Sequence, residues 1–331
     1  MGLVEKFLPL FQVAYVTVIL ENKFCRVFTK IKKGSSIVDT IDKKFDIKNG
    51  EISVDVINHI NKYQNKYKFV YIGTLLNSIN QGSIKGHRRE DFKKFGVVYN
   101  NIEKVVIDKS WSVYGFADDI LLLKDSFDRQ VGIDFILSPF IVLYKVFKSD
   151  FSSRLKLYVL CQKGSVALAV FKGNSFLFGA YFSIDSSSET FQTDTDSKGG
   201  SNSNNDGDNE ELEELVFFED DEDVIALDDS GEAIESDEDE SSEKDDDSVA
   251  SIEEFNEGVD LFNFIKSAIE EFYKNSKYEN EFIESITIAN ACNLTDEVVT
   301  YIKNELMMDI NIKDIDIAKT TSKIIEEEVS S

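Results

Sequence analysis

Apolar and polar residues along the chain fall into two passages of the same outline, separated by a long stretch with little to bury. In the first passage, residues 11–20 are rich in β-branched and aromatic side chains, Glu21-Asn22-Lys23 offers a turn, and residues 24–32 alternate again. Gly34-Ser35-Ser36 turns the chain a second time before 37–47, so the pattern predicts a three-stranded antiparallel meander. Ile52, Val56, His59, Ile60 and Tyr63 then recur along one face of a helix over about 51–63. Residues 68–75 (KFVYIGTL) form a continuous apolar run suited to a buried strand. Residues 80–98 read as polar, basic loop and helix. Residues 105–114 and 120–123 read as a strand pair turning near Gly115, 132–137 as a strand, and 140–147 as an apolar helix behind Pro139.

The second passage opens in the same way, with strands at 156–160, 166–171 and 176–184 and turns at Gly164 and Gly173-Asn174. Apolar residues return at helical spacing over 259–273, through Leu261, Phe262, Ile265, Ala268, Ile269 and Phe272. A strand at 282–289 follows, then a helix capped by Thr295 with Asp296 and Glu297 in its first turn. A short strand at 310–312 and a helix over about 315–328 complete the pattern.

Charge sharpens this division. The net charge is −26, but residues 185–257 alone hold 30 Asp and Glu against Lys198 and Lys244. The remainder carries 34 basic and 32 acidic residues and is close to neutral. A segment so acidic and so poor in apolar residues cannot offset its ordering entropy, and is expected to be a disordered insertion. Within it, Leu215, Val216, Phe217 and Phe218 are flanked by acids. Such a run either orders on a partner protein or packs back as an edge strand. An acidic tract repels phosphates and anionic lipid heads, so nucleic acid is not an expected partner and a membrane is reached only through partners.

Cys25, Cys161 and Cys292 are odd in number and far apart, and are read as buried free thiols in a reducing compartment. With two histidines and no close-spaced Cys/His set, neither a metal centre nor a cofactor is expected. Residues 7–20 are apolar but shorter than the ~20 residues a membrane-spanning helix needs, and contain Pro9 and Gln12. They lack a basic leader region and a small-residue cleavage site, so the expected location is cytoplasmic.

Two successive lobes, each opening on a meander and continuing in helix–strand units, resemble the α/β, ribonuclease H-like fold of actin-like ATPases. The order of elements is similar to that of the cytoplasmic platform proteins of type IV pili and type II secretion, the PilM and GspL type. Three passages carry the likeness. GIDFILSPFIVLYKVF (132–147) is similar to the strand and helix leading into the second lobe. LKLYVLCQKGSVALAVFKGNSFLFGAYF (155–182) resembles the second-lobe hairpin. FNFIKSAIEEFYKN and FIESITIANACNLTDEVVTYIKNELMMDINI resemble the later helix, strand, closing helix and strand. The resemblance implies a first lobe over 1–131, a second over 132–184 and 258–331, and the acidic insertion at 185–257.

Nucleotide-binding members of that family place Asp-x-Gly in the first hairpin turn of each lobe, where backbone amides and a metal-holding carboxylate meet the phosphates. Here those turns are Glu21-Asn22-Lys23 and Cys161-Gln162-Lys163-Gly164, and Asn290-Ala291-Cys292 replaces the glycine pair expected in the second lobe. Glycine allows backbone to approach a phosphate closely. The resemblance therefore implies a scaffold without ATP binding or catalysis. Residues 82–94 (GSIKGHRREDFKK) lack the spacing of a phosphate-binding loop. They are either a solvated loop or, through Lys85, Arg88 and Arg89, a docking patch for an acidic partner. Asp118-Asp119 and Asp134 lack any recognisable partner set and are read as structural.

The function these readings imply is a non-catalytic scaffold in a pilus-like, secretion-like or DNA-uptake platform, binding inner-membrane subunits or the assembly ATPase. Two alternatives stand beside it: an active actin-like ATP-binding protein, and an acidic adaptor unrelated to secretion.

Overall fold

Val13, Tyr15 and Ile19 point to one side of strand β1 (Gln12–Leu20), and Ala14, Val16 and Val18 to the other. A strand apolar on both faces belongs at the centre of a covered sheet. The computed structural model describes residues 11–21, 23–47, 51–127, 131–183, 245–278 and 281–330, with backbone alone at 245–255 and 257. β1 pairs antiparallel with β2 (Phe24–Lys33), which pairs with β3 (Ser36–Asp46), as the meander predicts. Helix α1 (Val54–Lys66) buries Val56, His59, Ile60 and Tyr63, and carries the chain over to β4 (Phe69–Leu75), parallel to β1. Parallel pairing demands such a crossover.

A small sheet then interrupts the first lobe. Its strands are β5 (Gln81–Lys85), β6 (Ile102–Ile107) and β7 (Trp111–Phe116), in the order β5-β7-β6, with helix α2 (Arg89–Lys94) between β5 and β6. The helix expected within 80–98 is α2, but β5 corrects the expected loop at its start, and the expected strand pair at 105–114 and 120–123 is also corrected. The β6–β7 hairpin turns at Asp108 and Lys109, both left-handed (φ 48° and 56°), and 117–126 is helix α3 (Ala117–Ser126). The Gln81–Lys85 sequence looks polar, yet Gln81, Gly82, Ser83 and Ile84 are buried. Ser83 sits where Gly179 of the second lobe approaches so closely that a Cβ on Gly179 would collide with its hydroxyl.

β8 (Phe135–Leu137) completes the first sheet in the order β3-β2-β1-β4-β8. Ser138 and Pro139 start helix α4 (Pro139–Phe147), with Ser138 Oγ accepting from the Phe140 N–H at 3.4 Å. The second sheet repeats the plan. β9 (Leu155–Gln162) is central, β10 (Ser165–Lys172) and β11 (Ser175–Ser183) extend it antiparallel, and helix α5 (Asp245–Lys274) leads to β12 (Ser285–Asn290), parallel to β9. Helix α6 (Asp296–Leu306), capped by Thr295 as expected, leads to β13 (Asp309–Asp314), giving β11-β10-β9-β12-β13. α5 begins fourteen residues before its apolar stripe, inside the stretch assigned to the insertion, where acidic residues suit a helix N-terminus. The candidate residues Leu215, Val216, Phe217 and Phe218 lie outside the described residues.

The last helix, α7 (Ile317–Ser330), expected in the second lobe, packs on the first sheet against β1, β2 and β4. Gly73 of β4 makes room for it, since a Cβ there would collide with Ile325. Arg26 pairs with Asp316, Lys30 and Lys32 pair with Glu326, and Lys145 reaches Glu327 and Glu328. One apolar core consequently joins β1, α4, β9, β10 and α7 across both lobes, flanked by a second core beneath α1 and a third beneath α5 and α6.

Candidate functional site

The resemblance to actin-like folds implies that nucleotide, if bound, would meet the hairpin turns of β1–β2 and β9–β10 and the loop after β12. In the first turn the Glu21 N–H donates to Phe24 O at 2.8 Å. In the second, Gly164 supplies the positive φ (79°). At the end of β12, the Asn290 side chain ties down the loop that follows: its Oδ1 accepts from the Leu294 N–H at 2.9 Å and its Nδ2 donates to Asp314 Oδ1 at 2.8 Å. Parallel pairing sets Asn290 beside Cys161, with the Ala291 N–H donating to Cys161 O at 2.9 Å.

That register brings Cys292 against Cys161, and the two form a disulfide with Cα atoms 5.8 Å apart. The expectation of three free thiols is corrected here. The partners are 131 residues apart in sequence, so only the strand register reveals them. Cys25 alone stays a free thiol, and burial, with Glu21 adding to it, pushes its pKa up to about 12. A thiol so raised is a poor nucleophile.

Asp134 and Asp119 make hydrogen bonds within the fold. Asp134 ties β4 to β8: its carboxylate accepts from the Ile72 N–H at 2.8 Å, and its own N–H donates to Ile72 O at 2.9 Å. Asp119, in the first turn of α3, accepts from Ser78 Oγ and from Asn80 Nδ2, while Asp118 is exposed. Among the described residues no three His, Cys, Asp or Glu side chains converge in a way that would hold a metal ion.

Open surface lies instead around the small sheet. A groove of roughly 350 Å³ runs between β6–β7 on one side and α3, β8 and α4 on the other. Leu76, Val105, Val113, Ile120, Ile136 and Ile141 give it an apolar floor, and Glu103, Lys104 and Lys124 give it charge. Among the described residues β6 is the outer strand of its sheet, with Val105 and Val106 exposed, and α3 exposes Leu121 and Leu122 beside the groove residue Ile120. Apolar side chains left in water next to an unpaired strand edge mark an interaction surface.

Sequence reasoning missed this groove because it placed 120–123 on a strand. The Asp108-Lys109 turn carries none of the glycine that flags a tight hairpin.

The basic candidates gather at the other end of the small sheet. Lys85 ends β5, Arg88 caps α2 and Arg89 begins it, and all three are exposed. The Asp91 carboxylate accepts from the His87 and Arg88 N–H groups at 2.9 and 2.8 Å, and Gly86 has the positive φ (100°) that lets this turn close. Lys85, Lys94 and Lys277 line one shallow groove, where Phe95 stacks on Tyr278 with ring centroids 5.8 Å apart.

No curated protein matches the chain. Among solved structures it is similar to a PilM–PilN type IV pilus biogenesis complex, at 9% identity over 95% of this chain and 94% of that one, with a TM-score of 0.50. It is also similar to a Bacteroides thetaiotaomicron protein described as having an actin-like ATPase fold and unknown function (8% identity, 98% and 99% covered, TM-score 0.48). Ethanolamine utilization protein EutJ from Carboxydothermus hydrogenoformans matches more loosely (9% identity, 94% and 88% covered, TM-score 0.38). The fold is thus two-lobed and actin-like, as the order of elements implied. Residues 11–144 match a family model described as Domain of unknown function (DUF8569). Residues 157–330 match another, and through that match the chain belongs to the family described as Domain of unknown function (DUF8341).

Proposed function

We propose that this protein is a non-catalytic scaffold of a type IV pilus-like or type II secretion-like assembly platform, working on the cytoplasmic side of an inner membrane. It holds an extended segment of a partner protein in the groove beside β6. The observation that carries this reading is the groove itself: an apolar floor next to the unpaired edge of β6 suits strand addition, in which backbone bonds give affinity and side-chain pockets give specificity.

Two further features support it. The crevice turns lack Asp-x-Gly, and the loop after β12 is bound to β9 by Cys161–Cys292, which favours a fold retained for shape rather than phosphate chemistry. The neighbour with a TM-score of 0.50 comes from a PilM–PilN type IV pilus biogenesis complex, which supports a protein partner, either a membrane-anchored platform subunit or the assembly ATPase. Among the described residues no helix is long and apolar enough to cross a membrane, so the platform is reached through such partners. Exposed Lys85, Arg88 and Arg89 provide a second contact for an acidic partner.

A photocrosslinking residue at Val105 in the full chain, activated in native cells, tests the proposal. The expected product is an adduct with a membrane-anchored assembly subunit or its ATPase, absent when the probe stands at Val54 on α1. Adducts with soluble enzymes alone at Val105 would overturn it.

A further inference from the structure

β3 is eleven residues long and exposed at nine of them, with only Ile41 and Phe45 half-buried. Among the described residues it is the outer strand of the first sheet, and Ile37 and Val38 near its start are 61% and 51% exposed. A long edge strand so exposed is a template for another strand unless something covers it.

The hydrogen-bond phase shows what the edge offers. The Ile47 N–H donates to Lys23 O at 3.1 Å, which fixes the alternation along β2–β3. Residues 41, 43 and 45 turn their backbone groups inward to β2, and Thr40, Asp42 and Lys44 turn theirs outward. Among the described residues the outward N–H of Thr40 donates to the carboxylate of Asp39, its own neighbour, at 2.8 Å.

We propose that β3 is a self-association edge, pairing antiparallel with β3 of a second copy about a two-fold axis at Ile41. The sequence DTIDK (39–43) is self-complementary in that one register. Ile41 meets Ile41, and Asp39 meets Lys43 of the second copy on both sides of the axis. Thr40 and Asp42 exchange backbone hydrogen bonds with Asp42 and Thr40. Sliding the strands by two residues in one direction would set Asp42 against Asp42, and by four would set Lys43 against Lys43. Like charges directly opposite each other disfavour those two registers, and sliding by two in the other direction sets Thr40 against Thr40 and separates Asp39 from Lys43, so the register at Ile41 is the one that pairs opposite charges without opposing like ones. A second copy fits better than an unrelated strand because both halves of the pattern lie in one short sequence. The pairing joins two five-stranded sheets into one and leaves the groove beside β6, at the far side of the first lobe's strand order, untouched.

Sedimentation equilibrium of the full chain at physiological salt tests this. The expected result is a dimer that dissociates on dilution. Lys44→Pro removes an outward N–H while leaving the β2 ladder intact, and should give monomer. Asp39→Lys or Lys43→Asp alone should weaken the dimer about tenfold or more, and the double exchange D39K/K43D should restore it. Circular dichroism verifies folding, and if Lys44→Pro fails to fold, the charge exchange decides. A monomer at every concentration, or a dimer indifferent to the single reversals, would overturn the proposal.

Discussion

Trp111 of the small sheet stacks flat on Phe176 of β11, with ring centroids 4.7 Å apart and planes 5° from parallel. Phe171 and Tyr144 close on it edge-on at 5.7 and 5.5 Å, leaving Trp111 1% exposed. The small sheet belongs to the first lobe by chain connection and Phe176 to the second, so this cluster fastens one lobe to the other. A molecule that must open and close around nucleotide would pay a high cost for breaking such a contact, whereas a rigid scaffold loses nothing by it.

Replacing Trp111 by Ala is therefore expected to lower stability by about 3–5 kcal/mol, the range for truncating a large buried aromatic. Urea unfolding followed by circular dichroism measures it. A cycle with Phe176→Ala should give a coupling of about 0.5–1.5 kcal/mol for the stacked pair. Coupling near zero would mean that the lobes are held together elsewhere. Trp111 is the protein's single tryptophan, so its fluorescence also reports directly on the Phe176 variant.

The Cys161–Cys292 bridge closes a chain separation of 131 residues. In the chain-entropy picture such a bridge limits the unfolded state by up to about 5 kcal/mol, with ~2–4 typical in practice. The variant C161A/C292A should consequently unfold at lower urea concentration than the oxidised parent and match the reduced parent. Non-reducing peptide mapping should recover the 161–292 cross-link with Cys25 unpaired. Equal unfolding midpoints for all three forms would show that the bridge does not contribute.

How far the sequence reveals this molecule depends on whether the determining contacts are local. β1 to β3 and β9 to β11 are legible because β-branched and aromatic residues alternate between turns, and Thr295 is legible as a cap from its own hydroxyl and the acids after it. The repetition of those meanders also pointed to the actin-like fold. Gln81–Lys85 is not legible, since its small polar residues are buried only because β11 passes beside them. The Cys161–Cys292 pair hides for the same reason: strand register across 131 residues creates it. The groove beside β6 is built from β6, α3 and α4, whose meeting no periodicity encodes, and a strand assignment at 120–123 removed one of its walls.

Acid should weaken the attachment of α7. Burial raises the Asp316 pKa, but hydrogen bonds from Arg26 and from the backbone and side chain of Lys319 outweigh that and hold it at about 2. The folded value lies below the unfolded one, near 3.8, so the contribution is complete above about pH 4 and disappears as pH falls through about 2. The pair is partly solvated, so after screening it contributes about 1 kcal/mol. Asp316→Asn should flatten this part of the stability profile, and unfolding measured from pH 5 to pH 2 tests it. An unchanged slope would assign acid sensitivity to other carboxylates, such as Asp42 and Glu326, which are also lowered.

Mg-ATP should leave the melting temperature of the full chain unchanged. A ligand at a hundredfold excess over its Kd stabilises the native state by about 2.7 kcal/mol, enough to raise the melting temperature by several degrees. Nothing of that kind is expected where the turns carry Glu21 and Lys23 in one lobe and Gln162 and Lys163 in the other, and where the loop after β12 is bound to β9 by a disulfide. Running the melt with and without a non-denaturing reductant separates the two causes. A shift seen only after reduction would mean that the Cys161–Cys292 bridge blocks a competent crevice. A shift in the oxidised protein would restore the reading of an active ATP-binding protein, and Gly164, the one glycine in either hairpin turn, would be the first position to replace by alanine.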